Sequence, residues 1–173
     1  MSDTPIDLDA LRDRIDNLDS ELLRLINERA DCAQQVAQVK TAENADAVFY
    51  RPEREAQVLR RIMALNKGPL DSEEVARLFR EIMSACLALE QPIKVAYLGP
   101  EGTFTQQATL KHFGESAISL PMAAIDEVFR EVEAGAVNYG VVPVENSTEG
   151  VINHTLDSFM DSSLRICGEV VLR

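Results

Sequence analysis

The residue that best indicates chemistry is Arg29, a cation at a position where the surrounding pattern calls for an apolar side chain. One row of the pattern is Leu8, Ile15, Leu22, Arg29 and Val36, and its companion is Leu11, Leu18, Leu25, Cys32 and Val39. Two such rows are the seam positions of a heptad repeat, which predicts a long helix packed against other helices. A guanidinium keeps its proton, and burying it alone is costly. An anion must therefore meet Arg29 inside the helical bundle.

Two further cations on the same predicted helix differ in their distance from Arg29. Lys40 follows Arg29 by about three turns, so the two side chains share a face roughly 16 Å apart along the axis and can hold one small anion. Arg12 lies roughly 25 Å from Arg29, too far to bind the same small molecule. If Arg12 binds that ligand, it must come from the helix of a partner subunit.

Three more ionisable side chains are candidates for the same site. Arg54 and Glu55 open a second predicted helix, and Glu90 continues the apolar stripe of a third, which consists of Val75, Leu78, Phe79, Ile82, Met83, Cys86 and Leu89. A carboxyl group on an inward-facing stripe is either salt-bridged, here to Arg29 or Lys40, or held protonated as a hydrogen-bond donor. The pattern alone leaves both interpretations open.

The cations also have structural interpretations that the pattern does not exclude. Arg12 and Arg54 could be solvated surface residues, since isolated basic residues usually are. Lys40, near the end of a long helix, could complement the helix dipole. Arg29 could pair with a structural carboxylate from another helix.

The elements that position these residues begin with three helices. Residues 7 to about 41 predict one helix without Gly or Pro. A second begins near Pro52 and stops at Lys67-Gly68-Pro69, and a third starts at Asp71 or Ser72. Because the first helix is much longer than the other two, much of its seam stays uncovered within one chain. This predicts a homodimer.

The pattern changes at Pro92. Short strand-like runs at 94–99, 117–120 and 139–144 alternate with helical periodicity at 105–113 and 124–134. Such alternation predicts a mostly parallel sheet. We therefore expect an all-α domain over residues 1–91, followed over residues 92–173 by an α/β domain that is truncated, since about 80 residues are few for this class.

Composition excludes several classes of protein. With 46% hydrophobic and 27% charged residues among 173, the chain has the composition of a soluble protein with a core. Its net charge of −12 argues against nucleic acid or an anionic membrane as a partner. The acidic N-terminus lacks a secretory signal, and no apolar run approaches the roughly 18 residues of a membrane span. The three cysteines form no CxxC pair, which predicts reduced thiols in a cytoplasmic protein.

The first half resembles the all-helical class of chorismate mutase. The resemblance covers residues 7–92 and is carried by Leu11–Ile15, Leu23–Arg29, Val36–Lys40, Pro52–Glu55, and the third helix from Leu78 to Pro92. It implies an intertwined homodimer of three-helix chains that rearranges chorismate to prephenate without metal or cofactor. The site residues it implies are Arg29, Lys40, Arg54, Glu55 and Glu90 from one chain and Arg12 from the other.

The reaction implied by this resemblance gives each residue type a role. Arg12 and Arg29 would hold the two carboxylates of chorismate in the compact reactive shape. Lys40 and Glu90 would donate hydrogen bonds to the ether oxygen, where negative charge builds as the C–O bond breaks. Glu55 would accept the hydrogen bond of the substrate hydroxyl.

Three positions depart from the pattern of that family. Glu90 stands where Gln is common, and Glu must be protonated to donate, so we expect mutase turnover to fall as pH rises through neutrality. Cys86 stands where serine is common, and Arg51 replaces an acidic residue sometimes found three positions before Arg54. Arg54 and Glu55 keep the residue types expected to position the ring end of the substrate.

The second half is similar to the start of a prephenate dehydratase domain, through Tyr97–Thr105 and Val142–Gly150. The resemblance implies prephenate-binding turns from a strand into a helix, whose backbone amides approach a carboxylate, at Gly99, Gly102 and Thr103 and again at Asn146, Ser147 and Thr148. A dehydratase would consume the product of the mutase in phenylalanine biosynthesis. The later catalytic Thr-Arg-Phe segment of that family is absent from the chain as given, which we therefore expect to bind prephenate poorly and not to dehydrate it. The alternative is a non-catalytic dimerisation or regulatory module attached to a prephenate-binding fragment.

Overall fold

The computed structural model describes residues 7–43, 50–147 and 150–172. The chain divides into two compact units, residues 1–47 and residues 48–173. The described part of the first unit is a single helix, α1 (Leu8–Glu43). This division differs from the domain boundary predicted at residue 92, which rests on the change of sequence pattern and stays a prediction.

The helix α1 is continuous for 36 residues, as the absence of Gly and Pro predicts, and none of its residues is buried. Its two apolar rows are 42% exposed or more at Leu8, Leu11, Ile15, Leu18, Leu22, Leu25, Val36 and Val39. Neither α1 nor any other helix in the described ranges combines the length and apolarity needed to cross a membrane. The heptad pattern thus forms the predicted helix, and its apolar side chains remain open to solvent within one chain.

The second unit begins with two helices that pack against each other, α2 (Pro52–Leu65) and α3 (Ser72–Glu90). Proline occupies the first turn of α2, where a missing N–H is not needed. The α2 helix ends at Leu65, slightly before the predicted stop. Asp71 caps α3 by accepting a 2.8 Å hydrogen bond from the backbone N–H of Glu73. Local sequence signals therefore place both helices correctly.

A parallel three-stranded sheet follows, with strand order β2-β1-β3. Its strands are β1 (Lys94–Leu98), β2 (Ile118–Met122) and β3 (Tyr139–Val141), connected by α4 (Phe104–Phe113) and α5 (Ile125–Glu133). The central strand is fully buried at Val95, Ala96 and Tyr97, each 0% exposed. The predicted α/β arrangement with a parallel sheet is confirmed.

The central strand has a separate hydrophobic core on each side. Val95 packs with Tyr50, Ile93 and Phe113, and the end of α3 joins this core through Leu87. Ala96 packs instead with Val128 and Val137. Because successive strand residues point to opposite faces, β1 separates the core that includes α3 and α4 from the core that includes α5.

The antiparallel strand pair after β3 was not predicted, nor were the bounds of the helix that follows it. The antiparallel pair β4 (Glu145–Asn146) and β5 (Gly150–Val151) precedes the helix α6 (Asn153–Asp161). Pro143 has no N–H for a sheet ladder, consistent with β3 ending at Val141. The hydroxyl of Thr155, fully buried on α6, donates a 2.6 Å hydrogen bond to the carbonyl oxygen of Pro143. Tertiary contact thus fixes this short helix.

Candidate functional site

Arg29 lies half-buried on α1 without an acidic partner among the residues that the structure describes. Glu28, its neighbour in sequence, pairs with Arg24, whose guanidinium contacts Glu28 at 2.7 Å and Glu21 at 2.8 Å. The hydrogen bond from Arg24 lowers the pKa of the Glu21 carboxyl. Arg29 therefore keeps its charge available for an anion from outside its own helix.

Arg12 and Lys40 lie near the two ends of the same helix. Arg12 contacts Asp9 at 3.1 Å, with both side chains mostly exposed, and an exposed pair of this kind contributes little stability. Lys40 is half-buried in the last turn of α1. Because the helix is unbroken, Lys40 stands about 16 Å along the axis from Arg29, the separation that the sequence predicted.

The first turn of α2 holds the next two predicted residues. Arg54 is exposed, whereas Glu55 is half-buried. The carboxylate of Glu55 meets Arg80 of α3, with 3.5 Å between Glu55 Oε1 and Arg80 Nε. Burial raises the pKa of Glu55, and the charge and hydrogen bond of Arg80 oppose that rise. A carboxylate is thus kept in a partly desolvated place by a cation from the neighbouring helix.

Sequence reasoning missed Arg80. A signal existed, because Arg80 lies four residues after buried Ala76 and four before buried Ser84, on a face that the chain covers. The predicted apolar stripe of α3 was partly wrong, since Leu78 and Leu89 are exposed. The buried residues of α3 are all small, namely Ala76, Ser84 and Cys86, and a search for large apolar side chains does not detect the polar Ser84.

Glu90 is the last residue of α3 and is half-buried. Cys86, one turn earlier, is 4% exposed. Within residues 7–43, 50–147 and 150–172, no group of three or more His, Cys, Asp and Glu side chains could hold a metal ion.

Thr103 caps α4 through a reciprocal arrangement with Gln106. The Thr103 hydroxyl accepts a hydrogen bond from the Gln106 N–H at 3.4 Å, and the Gln106 side chain accepts one from the Gly102 N–H at 2.6 Å. This is a variant of the capping box that satisfies free amides at a helix start. Thr103 also donates a 2.9 Å hydrogen bond to the carbonyl oxygen of Pro100, so its side chain holds the turn in place.

The second predicted turn has a different geometry from the expected strand-to-helix turn. Asn146 pairs with Gly150 in the β4–β5 ribbon, and Ser147 lies exposed in the turn. Gly150 adopts a φ of +79°, which a side chain would disfavour. Thr148 lies outside the described residues. The expectation of a direct turn into a helix here was wrong, because the ribbon intervenes.

Two family models match the chain, one on each side of residue 92. Residues 11–91 match the family described as chorismate mutase type II. Residues 95–173 match the prephenate dehydratase family. The candidate cations thus lie in the region that matches one family, and the candidate turns lie in the region that matches the other.

Proteins with both activities in their names are similar to the whole chain. Bifunctional chorismate mutase/prephenate dehydratases share 75% identity over 169 residues in Pseudomonas aeruginosa, 55% over 162 in Neisseria gonorrhoeae and 32% over 185 in Escherichia coli K12. These matches cover 96%, 94% and 94% of this chain but 46%, 44% and 46% of the relatives. The chain thus spans about half the length of the curated relatives it matches. A chorismate mutase structure (Form II) from Thermus thermophilus is 36% identical, with a TM-score of 0.46, over 49% of this chain and 93% of that one.

Proposed function

The chain belongs to the family of bifunctional chorismate mutase/prephenate dehydratases, and from that premise we propose that its helical residues rearrange chorismate to prephenate. Its α/β residues would contribute to the next step, from prephenate to phenylpyruvate in phenylalanine biosynthesis. The observation that carries the proposal is Arg29, a cation on an apolar row whose sequence neighbour Glu28 is bound by Arg24. A small dicarboxylate supplies the anion that such a cation requires.

The rearrangement is unimolecular and pericyclic, so catalysis depends on holding the substrate in its reactive shape rather than on a nucleophile. Arg29 would bind one carboxylate of chorismate and Arg12 of the partner subunit the other. The contact of Arg12 with Asp9 is exposed, and a carboxylate bound through two hydrogen bonds would displace it. Two fixed anion contacts restrict the flexible enolpyruvyl arm to conformations close to the transition state.

Lys40 and Glu90 would act where charge develops. As the C–O bond breaks, the ether oxygen gains negative charge, and a donor aimed at it stabilises the transition state more than the ground state. Lys40 supplies an ammonium donor, and Glu90 supplies a second donor when its carboxyl is protonated. In this proposal Lys40 and Glu90 accelerate the rearrangement, whereas Arg12 and Arg29 bind the substrate.

Arg54 and Glu55 would position the ring end of the substrate from the first turn of α2. Glu55 would accept the hydrogen bond of the ring hydroxyl, a task that its ionised form performs best. The half-buried position of Glu55 beside Arg80 supports this assignment, since a carboxylate already oriented by a cation loses little freedom on binding.

The functional unit proposed for the helical half is a homodimer. The apolar rows of α1 expose side chains along the whole helix, and two copies of a heptad pattern can cover each other. The partner subunit would then supply Arg12 to each site. The second copy is favoured over an unrelated partner because the same helix carries both the apolar rows and the cations of the site.

In the α/β half, we assign prephenate binding to the turns at Thr103 and at Asn146, Ser147 and Thr148. The side chain of Thr103 is occupied in capping α4, so its contribution would come through the backbone of the turn. At Thr103, the start of α4 offers amide N–H groups and a positive dipole end to a carboxylate.

The proposal is tested by following chorismate disappearance with this chain, together with a native mass measurement. Arg29→Met keeps an apolar side chain on the row and should lower kcat/KM by about 10²–10³ while leaving the dimer intact. Arg24→Met, which removes an exposed cation from the same helix, is the matched control and should retain activity. Turnover unchanged in Arg29→Met, or absent from the unmodified chain, would contradict the proposal and favour a non-catalytic dimerisation module.

A further inference from the structure

The contact between Glu55 and Arg80 differs from the other ion pairs of the molecule. The side chains are 20% and 28% exposed, and they join two different helices. In the described ranges, every other ion pair has both side chains more than half exposed. Exposed pairs contribute little, whereas a shielded pair strongly affects the group it holds. Arg80 thus lies next to the Glu55 carboxylate in a partly desolvated position, which is energetically costly for a cation.

The backbone that carries Arg80 is fixed from the α/β half of the same compact unit. One turn after Arg80, the Ser84 hydroxyl donates a buried 2.8 Å hydrogen bond to the carbonyl oxygen of Phe113 at the end of α4. The neighbouring Glu81 carboxylate accepts a 3.1 Å hydrogen bond from the backbone N–H of Glu115. These contacts hold the middle of α3, so the backbone from which the Arg80 side chain extends is fixed.

Arg80 is the cation that acts on the Glu55 carboxyl, and three further groups around the pair, Tyr50, His112 and Tyr139, are neutral near pH 7. In the described part of the chain, the groups that act electrostatically on this pair or its phenolic neighbour are Tyr50 before α2, His112 on α4, Tyr139 on β3 and Cys167. Burial lowers the pKa of His112, and the positive charge of Arg80 lowers it further, so this imidazole is neutral near pH 7. Burial raises the pKa of Tyr50, and the negative charge of Glu55 adds to the rise.

We propose that Arg80 is a positioning residue of the chorismate site, which holds the Glu55 carboxylate in the orientation that receives the substrate hydroxyl. Arg80 does not contact chorismate in this proposal; it acts through Glu55. The inference rests on the proposed mutase function for the role of Glu55, and on the structure alone for the contact itself. In this proposal the α/β half also helps to position Glu55 of the helical site, because its contacts fix the part of α3 that carries Arg80.

The kinetic test replaces Arg80 in the 173-residue chain and measures chorismate turnover over a range of pH. Arg80→Gln should lower kcat/KM about tenfold, mainly through KM, because an unheld carboxylate binds the hydroxyl less well. It should also move the acid limb of the kcat/KM profile to higher pH, since burial raises the pKa of Glu55 and the opposing cation is gone. Arg80→Lys, which keeps the charge, should restore the acid limb close to its original position.

Arg77→Gln is the matched control. Arg77 lies one turn before Arg80 on α3 and pairs with Glu74 on the exposed face. This variant should leave KM and the acid limb unchanged. A loss of thermal stability shared by Arg80→Gln and Arg80→Lys, with both kinetic profiles unchanged, would show that Arg80 is merely structural.

A second measurement needs no turnover. The carboxyl carbon of Glu55, followed by NMR during a pH titration, should report a higher pKa in Arg80→Gln than in the unmodified chain or in Arg77→Gln. If the pKa rises while the unmodified chain leaves chorismate intact, the contact is right and the mutase function is wrong. If chorismate reacts and neither the pKa nor the acid limb moves, the role of Arg80 is refuted and the mutase function stands.

Discussion

The hydroxyl of Ser84 on α3 donates a buried 2.8 Å hydrogen bond to the carbonyl oxygen of Phe113, the last residue of α4. Ser84 lies in the part that matches the chorismate mutase family, and Phe113 in the part that matches the prephenate dehydratase family. The last helix of one family is therefore bonded to the first α/β helix of the other. The two matches meet within one packed unit, which explains why the compact units do not divide at residue 92.

The tight approach of these helices predicts a sharp difference between two glycines. A Cβ at Gly114 would lie 2.4 Å from the Cβ of Ser84, whereas a Cβ at Gly135 would meet nothing within 4 Å. Both residues have positive φ values, +79° and +69°. We expect Gly114→Ala to lower the free energy of unfolding by about 2–4 kcal/mol, and Gly135→Ala by about 1 kcal/mol. Denaturant titration of both variants measures the difference. Equal losses would show that Ser84 can move away from the new Cβ without lowering the free energy of unfolding.

The intersubunit role proposed for Arg12 predicts complementation between two inactive variants. In the proposed dimer, a chain with Arg12→Ala and a chain with Arg29→Ala form one intact site between them and one doubly impaired site. Refolding equal amounts together should restore about a quarter of the unmodified activity, since half of the dimers are mixed and each has one of two sites intact. Chorismate turnover before and after mixing measures this. Activity that stays at the level of the separate variants would place both arginines in one chain's site.

The donor role proposed for Glu90 predicts a specific pH dependence for the proposed mutase reaction. A carboxyl must be protonated to donate a hydrogen bond to the ether oxygen, so kcat should decrease as pH rises through neutrality. Glu90→Gln carries a permanent donor and should flatten the profile. Steady-state rates of both forms over the same buffers test this expectation, which identical profiles would rule out.

His112 predicts a loss of stability on acidification. Its pKa is lowered from 6.5 in the folded chain, chiefly by burial, so below about pH 6.5 the unfolded chain binds a proton that the folded chain does not. This contribution to stability is complete above the unfolded pKa and decreases as pH falls. His112→Gln should therefore lose less stability than the unmodified chain between about pH 7.5 and about pH 5.5. His154→Gln, on the exposed surface, is the control, and equal pH dependence in all three proteins would contradict the assignment.

The parts of the fold set by local signals were predictable from the sequence. The heptad rows predicted α1, Pro52 predicted the start of α2, and Asp71 predicted the cap of α3. The bounds of α6 were not predicted, because long-range contacts support this helix, namely the bond from Thr155 to Pro143 and the packing of Phe159 on Phe129 with 4.8 Å between ring centroids. Such contacts leave no periodic pattern in nine residues.

The residues of the candidate site show the same difference between local signals, which the sequence reveals, and long-range contacts, which it does not. The cations of α1 stand out because they interrupt an apolar repeat, and Glu55 stands out by resemblance to a known family. Arg80 is an arginine among other charged residues, and its place beside Glu55 arises only when α2 packs on α3. The turn at Asn146 was misjudged because strand pairing across Gly150, rather than local propensity, sets its shape.

The exposure of α1 has a consequence for how this protein behaves on dilution. Its helix of 36 residues buries none of its side chains within one chain, so the proposed dimer supplies that burial only by association. By mass action, the thermal midpoint of α1 should then rise with protein concentration, whereas unfolding of residues 48–173 should not depend on it. Activity per chain would consequently fall in very dilute solution, even while the parallel sheet remains fully formed.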